Sequence, residues 1–214
     1  PIKMLDEYGT DPVRYWTGTS RLGQDTALSP NTLKQGKRLV TKLWNAAKLA
    51  AMSLEGAESH GVLNPTTPKG DIESGVISHP LDQWLLGELS QTIAKATEAF
   101  ENYEYAAAQR EVEDFFWRTY CDNYLEIVKR RTRFEGKPEG EELSAVHTLW
   151  HATDALIRLF APFIPYVTDA LYDVMIGDRE GMPSTVHARG MWPKAADQAP
   201  AGAFEKEGEA FVQI

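Results

Sequence analysis

The sequence predicts an all-α protein, an antiparallel helical bundle with long loops. Helix-start signals occur three times, each a polar residue followed by proline: Asp11-Pro12, Ser29-Pro30 and His79-Pro80. Proline is tolerated at the first helical position because its missing N–H would be unpaired there, and a preceding Asp or Ser caps the next donors. From Leu81 to Phe100, apolar residues recur every three or four positions, which is typical of one buried stripe on a long helix.

Breaks in this periodicity and clusters of Gly and Pro divide the chain into elements. Asn102 interrupts the first stripe, Gly136 and Pro138 end the helix that follows, and Pro162 and Pro165 interrupt the next one. The expected elements, in chain order, are a small element over residues 1–25, helices beginning near Pro12, Pro30 and Pro80, a second long helix over residues 105–131, a helix over residues 143–160 and a short closing helix over residues 166–175.

Residues 56–79 and 177–201 are rich in Gly, Pro, Ser and Thr and lack helical periodicity, so we expect loops there, with a short strand at Thr185 to His187. The second long helix is expected to bury a stripe of apolar residues: Val112, Phe116, Tyr120, Tyr124 and Ile127. The first residue is not methionine, and residues 210–214 have a helix-like pattern that stops short. We therefore expect the chain to be part of a longer protein.

Composition excludes several classes of protein. The formal net charge of -9 and the pI near 5.1 argue against a general nucleic-acid binder, since affinity for phosphates normally shows as a basic excess. The single cysteine, Cys121, cannot form an internal disulfide, which predicts a reducing, cytoplasmic compartment. No apolar run approaches the roughly 20 residues that a membrane-spanning helix needs, so no membrane contact is expected.

No group of residues points to catalysis. His147 and His151 have the i, i+4 spacing of a zinc pair, but no third ligand accompanies them, so we interpret them as structural or surface residues. Cys121 lies between aromatic residues, as expected of a packed, inert thiol. Three carboxylates of the second long helix are expected to face solvent: Glu111, Glu113 and Asp114. We therefore predict no catalytic residue, no metal site and no cofactor in this chain.

One basic stretch stands out against the acidic composition, because residues 26–54 contain no carboxylate. Projection at 100° per residue puts small and apolar residues on one face, which we expect to be buried: Gly36, Leu39, Val40, Leu43, Ala46, Ala47, Ala50 and Leu54. The opposite face carries Asn31, Lys34, Arg38, Thr41, Lys42 and Asn45, with Lys37 and Lys48 on its flank. Cations three and four residues apart on a helix repel each other. This face is therefore expected to bind a polyanion.

Two apolar residues of the same helix need separate interpretation. Leu49 projects onto the cationic face, and two interpretations remain open: a neighbouring loop covers it, or it offers an apolar platform to an unstacked base of single-stranded RNA. Trp44 lies at the border between the faces and is expected to pack in the core. A second cationic cluster ends the helix of residues 105–131: Lys129, Arg130, Arg131 and Arg133. The helix dipole favours cations there whatever the ligand, but two localised patches fit site-specific docking of a polyanion.

Several segments resemble class I aminoacyl-tRNA synthetases. Residues 7–29, "EYGTDPVRYWTGTSRLGQDTALS", are similar to the segment after the KMSKS loop, and residues 36–50, "GKRLVTKLWNAAKLA", to the first helix of the anticodon-binding domain. Residues 81–131 are similar to the next helical pair, and "LFAPFIPYVTDALYDVM" and "STVHARGMWP" resemble the end of that domain. Within the class, "SRLGQDTALS", "TKLWNA" and "FFWRTYCDNYLEIVK" are most similar to the valyl enzymes.

The resemblance implies a non-catalytic, tRNA-binding part of a ligase of protein biosynthesis. In such an enzyme another domain, with the HIGH and KMSKS motifs that are absent here, joins valine to tRNA(Val) with ATP and Mg²⁺. Residues 1–25 would connect to the catalytic domain and contact the inner tRNA stem. Residues 26–176 would form the anticodon-binding bundle, and residues 177–214 would form a C-terminal loop region and the start of a further helix.

The residues implied to bind tRNA are Lys42, Arg38, Asn45, Leu49, Asn31, Lys34, Lys37, Arg130 and Arg131. Lys42, in the "KLWN" motif, is the best single candidate for an anticodon contact. Asn31 and Leu49 stand where some relatives have a basic and an aromatic residue. Two alternatives remain: the equivalent domain of an isoleucyl or leucyl enzyme, and a helical protein-interaction module whose basic stripe docks on an acidic partner.

Overall fold

The computed structural model describes residues 2–25, 27–177, 183–188 and 190–200, with the isolated residues 204 and 208. Every regular element in these ranges is helical, which confirms the all-α prediction. The strand expected at Thr185 to His187 is not formed. Its backbone bends around Asp169 instead, because Val186 N–H donates to Oδ1 of that carboxylate at 3.2 Å, and no neighbouring strand in these ranges offers a hydrogen-bond ladder. The pattern at residues 210–214 lies outside the described residues.

The helices are α1 (Ile2–Tyr8), α2 (Thr10–Gly18), α3 (Pro30–Ser59), α4 (Pro68–Glu73), α5 (Pro80–Glu101), α6 (Tyr105–Asp114), α7 (Leu125–Val128), α8 (Glu141–Phe160) and α9 (Pro165–Tyr172). A π-helical segment, Phe115–Tyr124, joins α6 to α7, and a second one, Asp173–Gly177, continues α9. A 3₁₀ turn covers Ala195–Asp197. None of the described helices combines the length and apolarity that crossing a bilayer requires.

Proline marks two of the three helix starts that the sequence predicts. Pro30 and Pro80 are the first residues of α3 and α5, and the His79 ring nitrogen Nδ1 accepts from Leu81 N–H at 3.2 Å. Helix α2 begins at Thr10, two residues ahead of Pro12. Gly9, with a φ of 88°, separates α1 from α2, because a positive φ breaks the helix at little cost only in glycine.

The prediction of a continuous loop over residues 56–79 is wrong at two places. Helix α3 continues to Ser59, and the short helix α4 forms within the segment. The start of α4 repeats the polar-residue and proline signal, since Thr67 Oγ1 accepts from Gly70 N–H at 3.0 Å and Pro68 follows it. Six residues are too few to show helical periodicity, so the pattern was not visible in the sequence.

The second long helix runs from Tyr105 to Val128 and contains the π-helical segment. Four of the five apolar residues expected to be buried there are buried, and the exception is Ile127, which is 37% exposed. A π-helical turn is wider than an α-helical turn, with hydrogen bonds from i to i+5. Residues beyond the segment are therefore rotated relative to the 3.6-residue projection, which explains the error at Ile127.

Helix α8 forms the centre of the bundle, because residues on all its sides are buried. Helices α3, α5, α6 and α9 pack against it, and α2 packs along α3. Pro162 and Pro165 end this helix and begin the next, as expected: α8 stops at Phe160 and α9 starts at Pro165. This arrangement buries one face of α3 and leaves its cationic face at the surface.

Candidate nucleic-acid interface

The predicted cationic face of α3 lines an open groove of about 500 Å³. The lining residues are Lys34, Lys37, Arg38, Thr41, Lys42, Asn45 and Trp117. Six of them come from α3, and the seventh comes from the π-helical segment. None of the described residues that line the groove carries a carboxylate, so its walls combine positive charge, amide and hydroxyl groups and an aromatic ring.

The opposite face of α3 explains why these side chains point outward. The residues predicted for that face are buried, with only Val40 partly accessible. Gly36 lies against Tyr15 and Pro12 of α2, and a Cβ added there would be 2.8 Å from Tyr15 Cδ1. The buried contacts therefore fix the rotation of α3 about its axis and hold its cations toward solvent.

Trp117 is a candidate site residue that the sequence analysis missed. Its indole ring is half-buried, packs edge-on against Phe116 at a centroid distance of 5.5 Å, and has Lys42 Nζ at 6.0 Å from its centroid. That distance is the outer limit of a cation–π contact. Trp117 directly follows Phe116, a member of the buried stripe of its helix. An aromatic residue at a position beside that stripe was the signal that the sequence offered.

Glu113 orients Trp117 and is not the solvated carboxylate that we expected. Burial, the larger effect, raises the pKa of Glu113, although hydrogen bonds from Tyr15 and Trp117 oppose the shift. The Tyr15 hydroxyl donates to the two carboxylate oxygens at 3.0 and 3.2 Å. The prediction failed because α2 covers this part of α6, which brings Tyr15 onto a position that an isolated helix would expose.

Leu49 and Trp44 lie in environments that differ from those suggested by the helical projection, which placed Leu49 on the cationic face and Trp44 at the border of the buried face. Leu49 is half-buried and packs against the hydrophobic core, and it does not line the groove. Trp44 was expected in the core, but 42% of its surface is exposed, because neighbouring helices leave this edge of α3 open. Asn31 and Lys48 are exposed on α3 outside the groove.

The second cationic cluster separates into paired and free members. Arg131 forms two hydrogen bonds of 2.7 Å with the fully buried carboxylate of Asp82, which also accepts from Tyr124 and Ser144. Arg131 therefore stabilises the bundle through its pairing with Asp82, and its contact with tRNA stays a prediction. Lys129 pairs with Glu126 at 2.5 Å. Two residues of the cluster remain exposed: Arg130 and Arg133.

The remaining candidates are buried. Burial raises the pKa of the Cys121 thiol to about 12, as expected of an inert thiol. His147 and His151 are buried on α8, and each places a ring nitrogen 2.7 to 2.8 Å from Oδ2 of Asp71 in α4. Burial alone would raise the pKa of the Asp71 carboxyl, but hydrogen bonds with both histidines and with Thr66 hold it well below its ordinary value.

Comparison with known families shows to which family the chain belongs. A family model described as the anticodon-binding domain of tRNA ligase matches residues 82–214. The chain belongs to this family. The match confirms the resemblance to aminoacyl-tRNA synthetases and the assignment to the anticodon-binding part of such an enzyme.

Relatives of this anticodon-binding domain match over the whole chain. Valine–tRNA ligases of Wolbachia sp. subsp. Brugia malayi and Ehrlichia canis are each 40% identical over 214 residues, and that of Anaplasma marginale is 42% identical over 215. All three alignments cover 100% of this chain, but only 23%, 25% and 24% of the respective relatives. The domain thus spans about a quarter of the length of the curated relatives that it matches.

The fold of the domain also recurs in a solved structure. The LeuRS of Agrobacterium radiobacter K84, in a ternary complex with tRNA and LeuAMS, matches with a TM-score of 0.58. The sequences are 17% identical, and the match covers 91% of this chain and 20% of that one. At this identity the likeness establishes the shared helical fold.

Proposed function

We propose that this domain recognises the anticodon of tRNA(Val) within a valine–tRNA ligase, and that the groove along α3 holds the anticodon loop. The observation that carries the proposal is a carboxylate-free cationic groove with an aromatic ring, in an anticodon-binding domain of net charge -9. The names of the relatives that match the whole chain favour valine over leucine or isoleucine.

The residues of the groove divide into two sets by chemistry. Lys34, Lys37 and Arg38 are exposed cations, suited to phosphate contacts that hold the loop without reading its sequence. Lys42, Asn45 and Trp117 combine a donor, an amide and a stacking surface, which unpaired bases of an RNA loop can use. In this assignment the aromatic platform is Trp117, and Leu49 supports α3 from the core side.

In the longer enzyme this domain would position tRNA and would leave the chemistry to a different part of the chain. ATP and Mg²⁺ would bind outside these residues, where valine is activated and transferred to the 3′ end of tRNA. Residues 1–25 would connect the bundle to that part and contact the inner stem. Exposed Arg130 and Arg133 would add phosphate contacts beyond the groove.

Titration with tRNA transcripts tests the proposal. A tRNA(Val) transcript and a matched transcript with a different anticodon are titrated against the chain, and binding is followed by tryptophan fluorescence and by gel shift. We expect the transcript with the altered anticodon to bind more weakly than the tRNA(Val) transcript. The difference should be about 1 to 3 kcal/mol for each base contact that the altered anticodon loses. Equal affinity for both transcripts would remove the base-reading function, and absence of binding at low salt would remove the RNA-binding function.

A further inference from the structure

Helices α4 and α8 bring three metal-ligating side chains together at a buried place that shares no residue with the α3 groove. His147 Nδ1 lies 2.8 Å from Asp71 Oδ2, and His151 Nε2 lies 2.7 Å from the same oxygen. One potential ligand atom from each residue lies within 4.8 Å of the others, and all three residues are buried. The sequence shows the histidine pair, but Asp71 lies 76 and 80 residues away from its members.

Both ring nitrogens of His147 face oxygen atoms, an arrangement that a cation in the cluster would satisfy. Its second ring nitrogen, Nε2, faces the carbonyl oxygen of Val62 at 3.2 Å, which can only accept. A neutral imidazole has one N–H, so a ring that donates to Val62 presents the lone pair of Nδ1 to the carboxylate of Asp71. Two lone pairs 2.8 Å apart repel unless a proton or a metal ion lies between them.

The surroundings match those of known metal sites. A histidine ligand usually donates its other N–H to a carbonyl or carboxylate, and Nε2 of His147 is placed to do so toward the carbonyl oxygen of Val62 at 3.2 Å. The second oxygen of Asp71 accepts from Thr66 N–H at 3.2 Å and from Thr66 Oγ1 at 2.7 Å, which orients the carboxylate. These contacts leave Oδ2 and the two ring nitrogens turned toward one another.

A cavity beside the cluster supplies access and room for a further ligand. His151 lines this cavity of about 750 Å³, together with Thr66, Asp154 and Arg158. Arg158 Nε donates to Asp154 Oδ1 at 2.8 Å, so the charge of the arginine is compensated. Water in the cavity can reach His151, which lines it, and could complete a four-ligand set.

We propose that Asp71, His147 and His151 form a binding site for a divalent transition metal of the Zn²⁺ class, with water as the fourth ligand. Two imidazole nitrogens and a carboxylate oxygen suit Zn²⁺ and its neighbours better than Mg²⁺ or Ca²⁺. To reach ligand distances near 2.1 Å, the nitrogen–oxygen contacts widen by about half an ångström. Helix α4 has six residues and lies between two loops, so it can shift by this amount. The ion would clamp α4 onto α8.

Direct metal binding tests this site independently of tRNA. The chain is freed of metal with a chelator, dialysed and titrated with Zn²⁺ in competition with a chromophoric indicator, while thermal unfolding is measured with and without Zn²⁺. We expect one Zn²⁺ per chain and a melting temperature that rises with Zn²⁺ concentration. X-ray absorption at the zinc edge should show a first shell of nitrogen and oxygen.

Three variants distinguish this site from adventitious binding. Asp71→Asn and His151→Gln keep polar side chains of similar size and should weaken Zn²⁺ binding at least tenfold. His187→Ala removes an exposed histidine outside the cluster and should leave the affinity unchanged. Circular dichroism of each metal-free variant establishes that it is folded. A folded wild-type chain that binds no Zn²⁺ would overturn the proposal. In that case a proton, and not a metal ion, lies between His147 and Asp71. An equal loss in His187→Ala would overturn the proposal as well.

Discussion

Arg130 and Arg131 carry the same side chain at adjacent positions, and only Arg131 has a buried carboxylate opposite it. The bidentate contact with Asp82 compensates a charge that has no access to water. Arg130 has no such partner among the described residues and points into solvent. Residues 129–131 form a turn after α7 ends at Val128, and this turn brings Arg131 to Asp82 while Arg130 stays at the surface.

Substitution of the two arginines should therefore separate stability from tRNA binding. Arg131→Ala leaves the buried carboxylate of Asp82 without a cationic partner, although Tyr124 and Ser144 still donate to it. We therefore expect the free energy of unfolding to fall by about 3 to 5 kcal/mol. Arg130→Ala should change it by less than about 0.5 kcal/mol and should weaken tRNA binding for every anticodon alike. Chemical denaturation and tRNA titration measure the two effects. Similar losses of stability in both variants would contradict the assignment.

Trp117 and Trp44 form a second informative pair of residues. Both indoles reach the surface, but only Trp117 lines the groove. Trp117→Leu keeps an apolar side chain while it removes the stacking surface, so discrimination between anticodons should fall by about 1 to 3 kcal/mol. Trp44→Leu is the matched control and should leave discrimination intact. An equal effect of the two substitutions on titrations with altered transcripts would exclude Trp117 as the platform.

At the scale of elements, the π-helical segment decides which aromatic residues are buried and which face the groove. Tyr120 and Tyr124 stack with a ring angle of 16°, and their hydroxyls bond to Thr153 and Asp82 inside the bundle. This inner row anchors the segment to α8 and α5. Trp117 lies outside the row and therefore reaches the groove.

The close approach of α2 to α3 depends on Gly36. A Cβ at this position would lie 2.8 Å from Tyr15 Cδ1 and 3.0 Å from the backbone of Pro12. Gly36→Ala should therefore push α2 away from α3 and lower the free energy of unfolding by about 1 to 3 kcal/mol. Gln35→Ala, at an exposed neighbouring position, should change it by less than about 0.5 kcal/mol. Denaturant titration compares them, and equal stability of the two variants would contradict a close contact.

At the scale of the whole molecule, the distribution of charge over the surface decides where RNA can bind, more than the net charge does. The chain is acidic overall, so a polyanion is repelled from most of its surface and attracted to the groove. A net-negative protein with a localised cationic groove should bind RNA at that place and in few orientations. Site-specific docking of this kind suits recognition of a single loop.

The salt dependence of tRNA binding tests this distribution. The slope of log affinity against log salt concentration is negative, and its magnitude decreases by about one unit for each phosphate contact that is lost. Lys37→Ala should therefore flatten the slope by about this amount and weaken all transcripts equally. Lys95→Ala removes an exposed lysine of α5 outside the groove and should leave the slope unchanged. A shallower slope in Lys95→Ala would indicate general attraction instead of a defined groove.

Local patterns in the sequence were sufficient for the long helices and for the two faces of α3, but not for the six-residue helix α4. Proline signals and the 3.6-residue period are properties of a few consecutive residues, so they predict where Pro30 and Pro80 begin helices and which side of α3 is buried. The absence of carboxylates from residues 26–54 likewise identifies the cationic face without any tertiary contact.

Only the tertiary structure decided which charged and aromatic residues are available to a ligand. Arg131 meets Asp82 across 49 residues of sequence, and His147 meets Asp71 across 76. Trp117 joins a groove that another helix builds, and Leu49 turns to the core although its projection is polar. Contacts of this range depend on how helices pack against one another, and the period of one helix carries no information about the residue that will face it.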